Sequence, residues 1–237
     1  MSGRTVSDTT AKGPASVVIR HDSKKSRMNG HVALLGDSIL DNGAYTSGGP
    51  DVVSQLTSML PAGWRASLLA VDGAMMGGLA HQLCDLPEDV SHVVVSIGGN
   101  DVLQSLDVLR VKVESSADAL LGLGKRAQGF ERGYRAAIDL VRQLGQPTTI
   151  CTIYNGNLSG QEGAAARVAL TAFNDVILRV AFEWHLPVID LRLVCTEPAD
   201  YANPIEPSSR GGEKIAGAIV RSLGLAMPTA DPSRVYF

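Results

Sequence analysis

Five short apolar runs punctuate this chain, and between them lie longer segments in which apolar residues recur at helical spacing. The runs are Val32 to Gly36, Ala66 to Val71, Val93 to Ile97, Thr148 to Thr152 and Val188 to Leu191. Short runs rich in branched apolar residues read as strands buried on both faces, and strands separated by helical segments read as βα units of a parallel sheet. Helices are predicted over Val52 to Leu60, stopped by Pro61 and Gly63, and over Leu79 to Leu86, stopped by Pro87. Val108 to Leu123 and Phe130 to Leu144 follow, the second closed by Gly145 and Pro147. In Gln161 to Trp184, the residues Val168, Phe173, Val176, Ile177, Val180 and Trp184 fall near one face, and Gly211 to Leu223 carries Ile215, Ile219 and Leu223 in steps of four. The pattern is that of an α/β protein, a three-layer α/β/α sandwich around a parallel five-stranded sheet.

A chain of 237 residues suits one large domain of this kind. The domain is expected over residues 28–227, behind a polar, flexible leader at residues 1–27 and ahead of a Pro-containing tail at residues 228–237. Within the leader only Ser16 to Ile19 has strand character, and Met28 stands directly before the first strong strand as an alternative start. With 19% charged residues and a formal net charge of -3, the chain offers no overall field for nucleic acid or an anionic membrane. No apolar stretch approaches the roughly 18 residues of a spanning helix. Met1 to Lys12 lacks the apolar core of a secretory signal, so a soluble cytoplasmic protein is expected. Cys84, Cys151 and Cys195 have neither paired nor metal-ligand spacing and read as buried free thiols.

In open parallel sheets, ligands bind beyond the carboxyl ends of the strands, near the point where strand order reverses. Three strand ends carry polar loops: Gly36-Asp37-Ser38, Asp72-Gly73-Ala74 and Gly98-Gly99-Asn100-Asp101. A fourth loop, Asn203-Pro204-Ile205-Glu206-Pro207, precedes the last helix. Singly, each has a plain structural reading. Gly73 suits a turn, Asn100 an Asx-turn or helix cap, and Asp101 the N-cap of a helix starting at Val102. As an ordered set on successive strand ends they resemble the SGNH hydrolases, also called GDSL esterases and lipases, over Met28 to Ala226.

That resemblance implies a flavodoxin-like parallel five-stranded sheet, Ser38 as nucleophile, and an oxyanion hole made by the Ser38 and Gly73 backbone N–H groups and the Asn100 side-chain amide. The chemistry explains those residue types. Acyl transfer passes through a tetrahedral intermediate whose oxygen gains negative charge, and fixed donors aimed at it lower the barrier. The family's fourth block is Asp-x-x-His; here Asn203 and Glu206 hold those two places, while Pro207, Gly212 and Ile215-Ala216 keep the alignment. A carboxylate with a reference pKa of about 4.3 is a poorer base at neutral pH than imidazole at about 6.5, although burial raises it. An amide at position 203 avoids two like charges and is able to donate to Glu206.

No histidine is well placed to stand in. His81 follows the Gly73 loop and is the nearest candidate; His185, His31 and His92 belong to the opposite rim, and His21 to the leader. Asp37, Asp41, Asn42 and Tyr45 are candidates to shape a polar substrate pocket, and Asp37 and Asp101 also to brace the loops. Asp190 reads as structural. The carboxylates form no metal-ligand motif, and no cofactor is expected. The expected activity is hydrolysis of a small-molecule ester with a small, acetyl-like acyl group, with Ser38 attacking, Glu206 as base and Asn203 orienting it. An inactive or weak member that binds a polar or acylated ligand, and an acyltransferase, are the alternatives.

Overall fold

β1 (Gly30–Gly36) is buried along its whole length because β2 (Trp64–Leu68) flanks it on one side and β3 (His92–Ser96) on the other, both parallel to it. The computed structural model describes residue 1 and residues 29–226. The expected leader, its Ser16 to Ile19 segment and the tail lie outside the described residues. Beyond β3 come β4 (Thr148–Cys151) and the two-residue edge strand β5 (Val188–Ile189), giving the order β2-β1-β3-β4-β5 with every pairing parallel. The chain is the α/β sandwich anticipated above, and its order reverses between β1 and β3.

Side chains on successive strand residues point to opposite faces, so β1 feeds two cores. Val32 and Leu34 pack with residues of α1 (Val52–Met59) and α6 (Ser209–Ser222). Ala33 and Leu35 pack with those of α4 (Ser116–Arg142) and α5 (Gly160–Glu183) on the other face. Each fully buried Leu or Val of this kind stabilises the fold by roughly 1.5–3 kcal/mol relative to exposure. α1 is capped by the Asp51 carboxylate, which accepts the Ser54 N–H at 2.8 Å, and α6 by the Ser208 hydroxyl, which accepts the Gly211 N–H at 3.2 Å.

The helices differ from expectation in three places. Val108 to Leu123 and Phe130 to Leu144 are not two helices: residues 106–110 form a 3-10 turn, and a single α4 starts at a Ser115/Asp118 capping box and runs through the glycine-rich middle. Each interior Gly costs a helix about 1 kcal/mol against Ala. Continuous burial of Phe130, Tyr134, Ile138 and Val141 against the sheet outweighs that, and a Cβ on Gly133 would lie 3.0 Å from Met76 Cε, so the gap admits the loop after β2. α2 keeps α-helical form only over Leu79–Gln82 and ends in 3-10 geometry. A short helix, α3 (Gly99–Ser105), begins two residues before Asp101, so Asp101 lies inside its first turn rather than capping it. Cys151 and Cys195 are buried, but Cys84, in the middle of the 3-10 segment Leu83–Asp85, is exposed and is not a core thiol. Among the described residues no helix is long and apolar enough to cross a membrane.

Candidate active site

The turn after β1 is built around Gly36, whose φ of 127° is a left-handed conformation and whose Cβ, if present, would fall 1.7 Å from the Ser96 carbonyl oxygen. Gln82 of α2 grips this residue from both sides. The Gly36 N–H donates to its Oε1 at 2.8 Å, and its Nε2 donates to the Gly36 carbonyl at 2.7 Å. The Asp37 N–H then donates to Ser96 on β3, and the Leu40 and Asp41 N–H groups close back onto the Asp37 carbonyl. This fixes Ser38 at the end of a buried strand, only 5% exposed.

The second and third loops are tied together beside it. Gly73 is in the left-handed region, with open space where a Cβ would stand. One Asn100 amide N–H donates to the Ala74 carbonyl at 2.9 Å, which leaves its second N–H for a ligand. Asp101 accepts the Met76 N–H at 3.1 Å, the bracing role read for it. Asp41 and Tyr45, expected in a substrate pocket, instead hold the Gly73 loop: Asp41 accepts the Asp72 N–H at 2.9 Å, and the Tyr45 hydroxyl donates to the Asp72 carboxylate at 2.7 Å. Asn42 is fully buried rather than pocket-lining. Its amide donates to the Pro207 carbonyl at 3.2 Å and accepts the Val52 N–H at 2.9 Å, joining the nucleophile turn to the loop of Glu206.

That fourth loop is held from several directions. Asn203 does not orient the carboxylate of Glu206; its Oδ1 accepts the backbone N–H groups of Ile205 and Glu206, both at 2.9 Å, and so sets the main chain instead. The Tyr154 hydroxyl donates to the Ile205 carbonyl, and the Ala202 N–H to the Glu206 carbonyl at 2.9 Å. Below the loop, buried Asp200 accepts from Lys214 Nζ at 2.6 Å.

Ser38, Asp37, Asn100 and Glu206 line one cavity of about 80 Å³, together with Ser96, Asn155 and apolar side chains of α3, α5 and the β4 loop. Gly73 does not line it; Asn100 ties the cavity wall to the neighbouring Ala74 carbonyl. Burial raises the pKa of Glu206 above its ordinary 4.5; the Ser38 hydroxyl, hydrogen-bonding to the charged form, pulls the other way, and the charge of Asp72 adds to the rise. Its Oε2 is buried without a hydrogen-bond partner. Asp37 is pushed up to about 7, mainly by burial, against the Ile39 N–H and with the charges of Glu206 and Asp101 adding to it. The described histidines lie elsewhere: His31 contacts Asp89 and Ser67, His92 and His185 flank a depression at the amino ends of β3, β4 and β5, and His81 is exposed on α2. Asp190 is held by Arg192 and Thr152, as a structural carboxylate would be.

A buried serine on a strand-end turn, with a raised-pKa carboxylate and an amide donor in the same cavity, is an arrangement suited to acyl transfer. The profile of the GDSL-like lipase/acylhydrolase family matches residues 34–213, from within β1 into α6. The chain belongs to that family. No curated protein matches it. Among solved structures, an extracellular lipase from Streptomyces rimosus is 18% identical, with 84% of this chain and 100% of the lipase covered at a TM-score of 0.59. A catalytic mutant of an acetylxylan esterase from Geobacillus stearothermophilus is 19% identical, covering 84% and 97% at 0.61. A phospholipase A1 from Streptomyces albidoflavus is 16% identical, covering 83% and 99% at 0.61. At those identities the likeness is one of fold. Within the GDSL-like fold, sequence reading passed over Gln82, Tyr154 and Asn174, which clamp the loops around Ser38 and Glu206. Asn174 holds the Ile153 N–H and carbonyl at 2.9 and 2.8 Å, as Gln82 holds Gly36. For Asn174 the signal in the sequence is an amide on an otherwise apolar helix face; Tyr154, in the loop after β4, carries none.

Proposed function

We propose that this member of the family is a serine ester hydrolase in which Ser38 is the nucleophile and Glu206 the general base. The observation that carries the reading is the Glu206 carboxylate, buried beside the Ser38 hydroxyl in a cavity that also holds Asn100. Ser38 Oγ bonds to the ester carbonyl carbon while its proton passes to Glu206. The oxyanion that forms accepts from the free Asn100 N–H and from the Ser38 and Gly73 backbone N–H groups. Collapse breaks the bond to the alkoxy oxygen, which leaves with the proton from Glu206. Water then attacks the acyl-Ser38 ester, giving its proton to Glu206, and the acid departs as Ser38 regains that proton. Asn203 acts as a positioning residue through the Glu206 main chain, and Asp41 and Tyr45 through Asp72.

The test compares wild type, Ser38→Ala, Glu206→Gln and Glu206→His on one activated short-chain ester across pH, with fluorophosphonate labelling of Ser38. Labelling at Ser38 and near-complete loss of turnover in Ser38→Ala and Glu206→Gln are expected. Turnover of Glu206→Gln within a few-fold of wild type would remove Glu206 as base. Binding of ester without product, in wild type and Ser38→Ala alike, would reduce the protein to a binding module.

A further inference from the structure

The loops around Ser38 carry charge of one sign. Segments 37–51, 69–78, 97–105, 152–159 and 194–208, which follow the strands or precede α6, contain carboxylates but no Lys, Arg or His. The cations that border the last of them are taken: Arg192 pairs with Asp190, and Arg210 and Lys214 with Asp200. Among the described residues, Asp37, Asp41, Asp72, Asp101 and Glu206 form no ion pair. A cleft lined by one sign of charge, with low-dielectric walls, concentrates the opposite charge at its mouth.

Glu206 is only 8% exposed, and its Oε2 has no hydrogen-bond partner. When ionised as the base it therefore places a negative charge beside the nucleophile with neither a cation nor a full set of donors to offset it. Such a charge gains when a ligand brings a positive one. Asp72 stands on the exposed side of Ser38, and its charge reaches Glu206; the Tyr45 hydroxyl lies in the field of Glu206, Asp72 and Asp41 together. The donors on this side are already engaged, the Tyr45 hydroxyl on the Asp72 carboxylate at 2.7 Å and the Asp72 N–H on Asp41 at 2.9 Å. A sugar hydroxyl both donates and accepts, so acceptors alone serve it poorly. A cation needs only the negative oxygens, and the Tyr45 ring beside them adds an aromatic group of the kind that attracts ammonium ions.

Resting on the reading of Ser38 as nucleophile and Glu206 as base, we propose that the alcohol half of the ester carries a positive charge, an ammonium group a few bonds from the ester oxygen, seated over Asp72 and Asp41 at the exposed edge of the site. The alcohol belongs at that edge because it leaves first and leaves to solvent, taking the proton from Glu206. Hydrolysis then releases a cationic alcohol and a carboxylic acid whose anion the same field repels.

Three acetates that differ in charge measure it: those of choline, of its carbon isostere with tert-butyl in place of trimethylammonium, and of glycolate, each rate taken relative to that of hydroxide. At low salt, kcat/KM is expected to be about tenfold higher for the choline ester than for the isostere, and lowest for the anionic ester. Raising the ionic strength to about 0.5 M should compress the series. Asp72→Asn, whose amide oxygen is still able to accept the Tyr45 hydroxyl, should lower the choline-to-isostere ratio about threefold or more. Displacement of the Gly73 loop acts on both esters and cancels in that ratio; Asp41→Asn should lower it too and answers the question if Asp72→Asn does not fold. Independently of turnover, choline should raise the Tm of Ser38→Ala more than the isosteric alcohol does. Equal kcat/KM for the two isosteres at low salt, or a preference that survives both variants, overturns the charge assignment while leaving Ser38 as nucleophile. A larger preference for the cation on the acyl half, read with the ethyl ester of betaine against its carbon isostere, overturns the placement. Choline stabilisation lost in Asp72→Asn, without cleavage of any ester by wild type, removes the hydrolase reading and upholds the cation's seat at Asp72.

Discussion

The two rims of the sheet hold carboxylates under opposite conditions. At the amino-end rim, Asp89 takes the His31 imidazole at 2.9 Å and also the Arg65 guanidinium, and the His31 hydrogen bond holds its pKa below the ordinary value. The second ring nitrogen of His31 reaches Ser67 at 2.8 Å, so the imidazole is saturated by neighbours. At the carboxyl-end rim, Asp37 and Glu206 are buried, have no cation beside them among the described contacts, and are pushed upward chiefly by burial. Asp89 has its charge neutralised by its neighbours, as Asp190 does at the other rim through Arg192; Asp37 and Glu206 have no such partner and are pushed upward by burial. Among the described residues, His31 and His92 therefore stand at the opposite ends of the strands from Ser38 and Glu206.

The strongest way to break that contrast is to remove the poised carboxylate. Glu206→Gln should lower kcat on a cleaved ester by about 10²–10⁴, the range for a lost general base, and Ser38→Ala by on the order of 10⁴ or more. Because Glu206 has to be ionised to accept the proton, wild-type kcat/KM should rise with pH through a midpoint above 4.5. In Glu206→His that limb should move up toward the imidazole range. An unmoved limb would show that another group governs it. Asn100→Ala should cost about 10²–10³ in kcat by removing one oxyanion donor, and it also frees the Ala74 carbonyl, so a thermal melt has to separate loss of fold from loss of chemistry.

Asp37 sharpens the contrast through stability. Its pKa rises from 3.8 to about 7 on folding, so the folded state holds this proton more tightly than the unfolded chain. The stability it contributes is full below the unfolded value and is lost as pH rises through the folded one. Asp37→Asn, neutral throughout, should gain on wild type from about pH 4 to about pH 7, by at most about 4 kcal/mol. Denaturant titrations at several pH values measure this, and a constant difference between the two proteins would contradict it.

The strands were legible because a doubly covered parallel strand has to be apolar throughout, and Ser38 and Asn100 stand out because they follow the ends of such runs, whereas Glu206 stands in the loop before α6. The end of β2 was not. The Leu69 and Ala70 N–H groups both turn to the Leu34 carbonyl at 2.8 Å before the Val71 N–H reaches the Gly36 carbonyl at 3.0 Å, so the regular ladder is interrupted before the apolar run stops. The loop contacts of Asp41, Tyr45 and Asn203 were not legible because the direction of a loop side chain is decided by partners that local sequence does not display. Asp41 finds the Asp72 N–H 31 residues on, and Asn42 finds Pro207 165 residues on. Gln82 is a plainer case: nothing around it in α2 announces that its amide grips Gly36, 46 residues earlier.

The smallest effect belongs to the saturated rim. Asp89 is 53% exposed, and its partner Arg65 is more exposed still, so solvent screens much of their attraction. Asp89→Asn removes the charge but keeps an oxygen able to accept from the buried His31 ring. Since the lowered pKa of Asp89 favours the folded state only above its unfolded value, any loss of stability should show at neutral pH and vanish as pH falls through the carboxylate range. Ester turnover and its pH profile should be unchanged, because the residue lies at the far end of β3 from Ser38 and Glu206. A shift in the acid limb of kcat/KM in this variant would mean that the two rims are coupled, and that the poise of Glu206 is set by more than the burial and neighbours at its own end of the sheet.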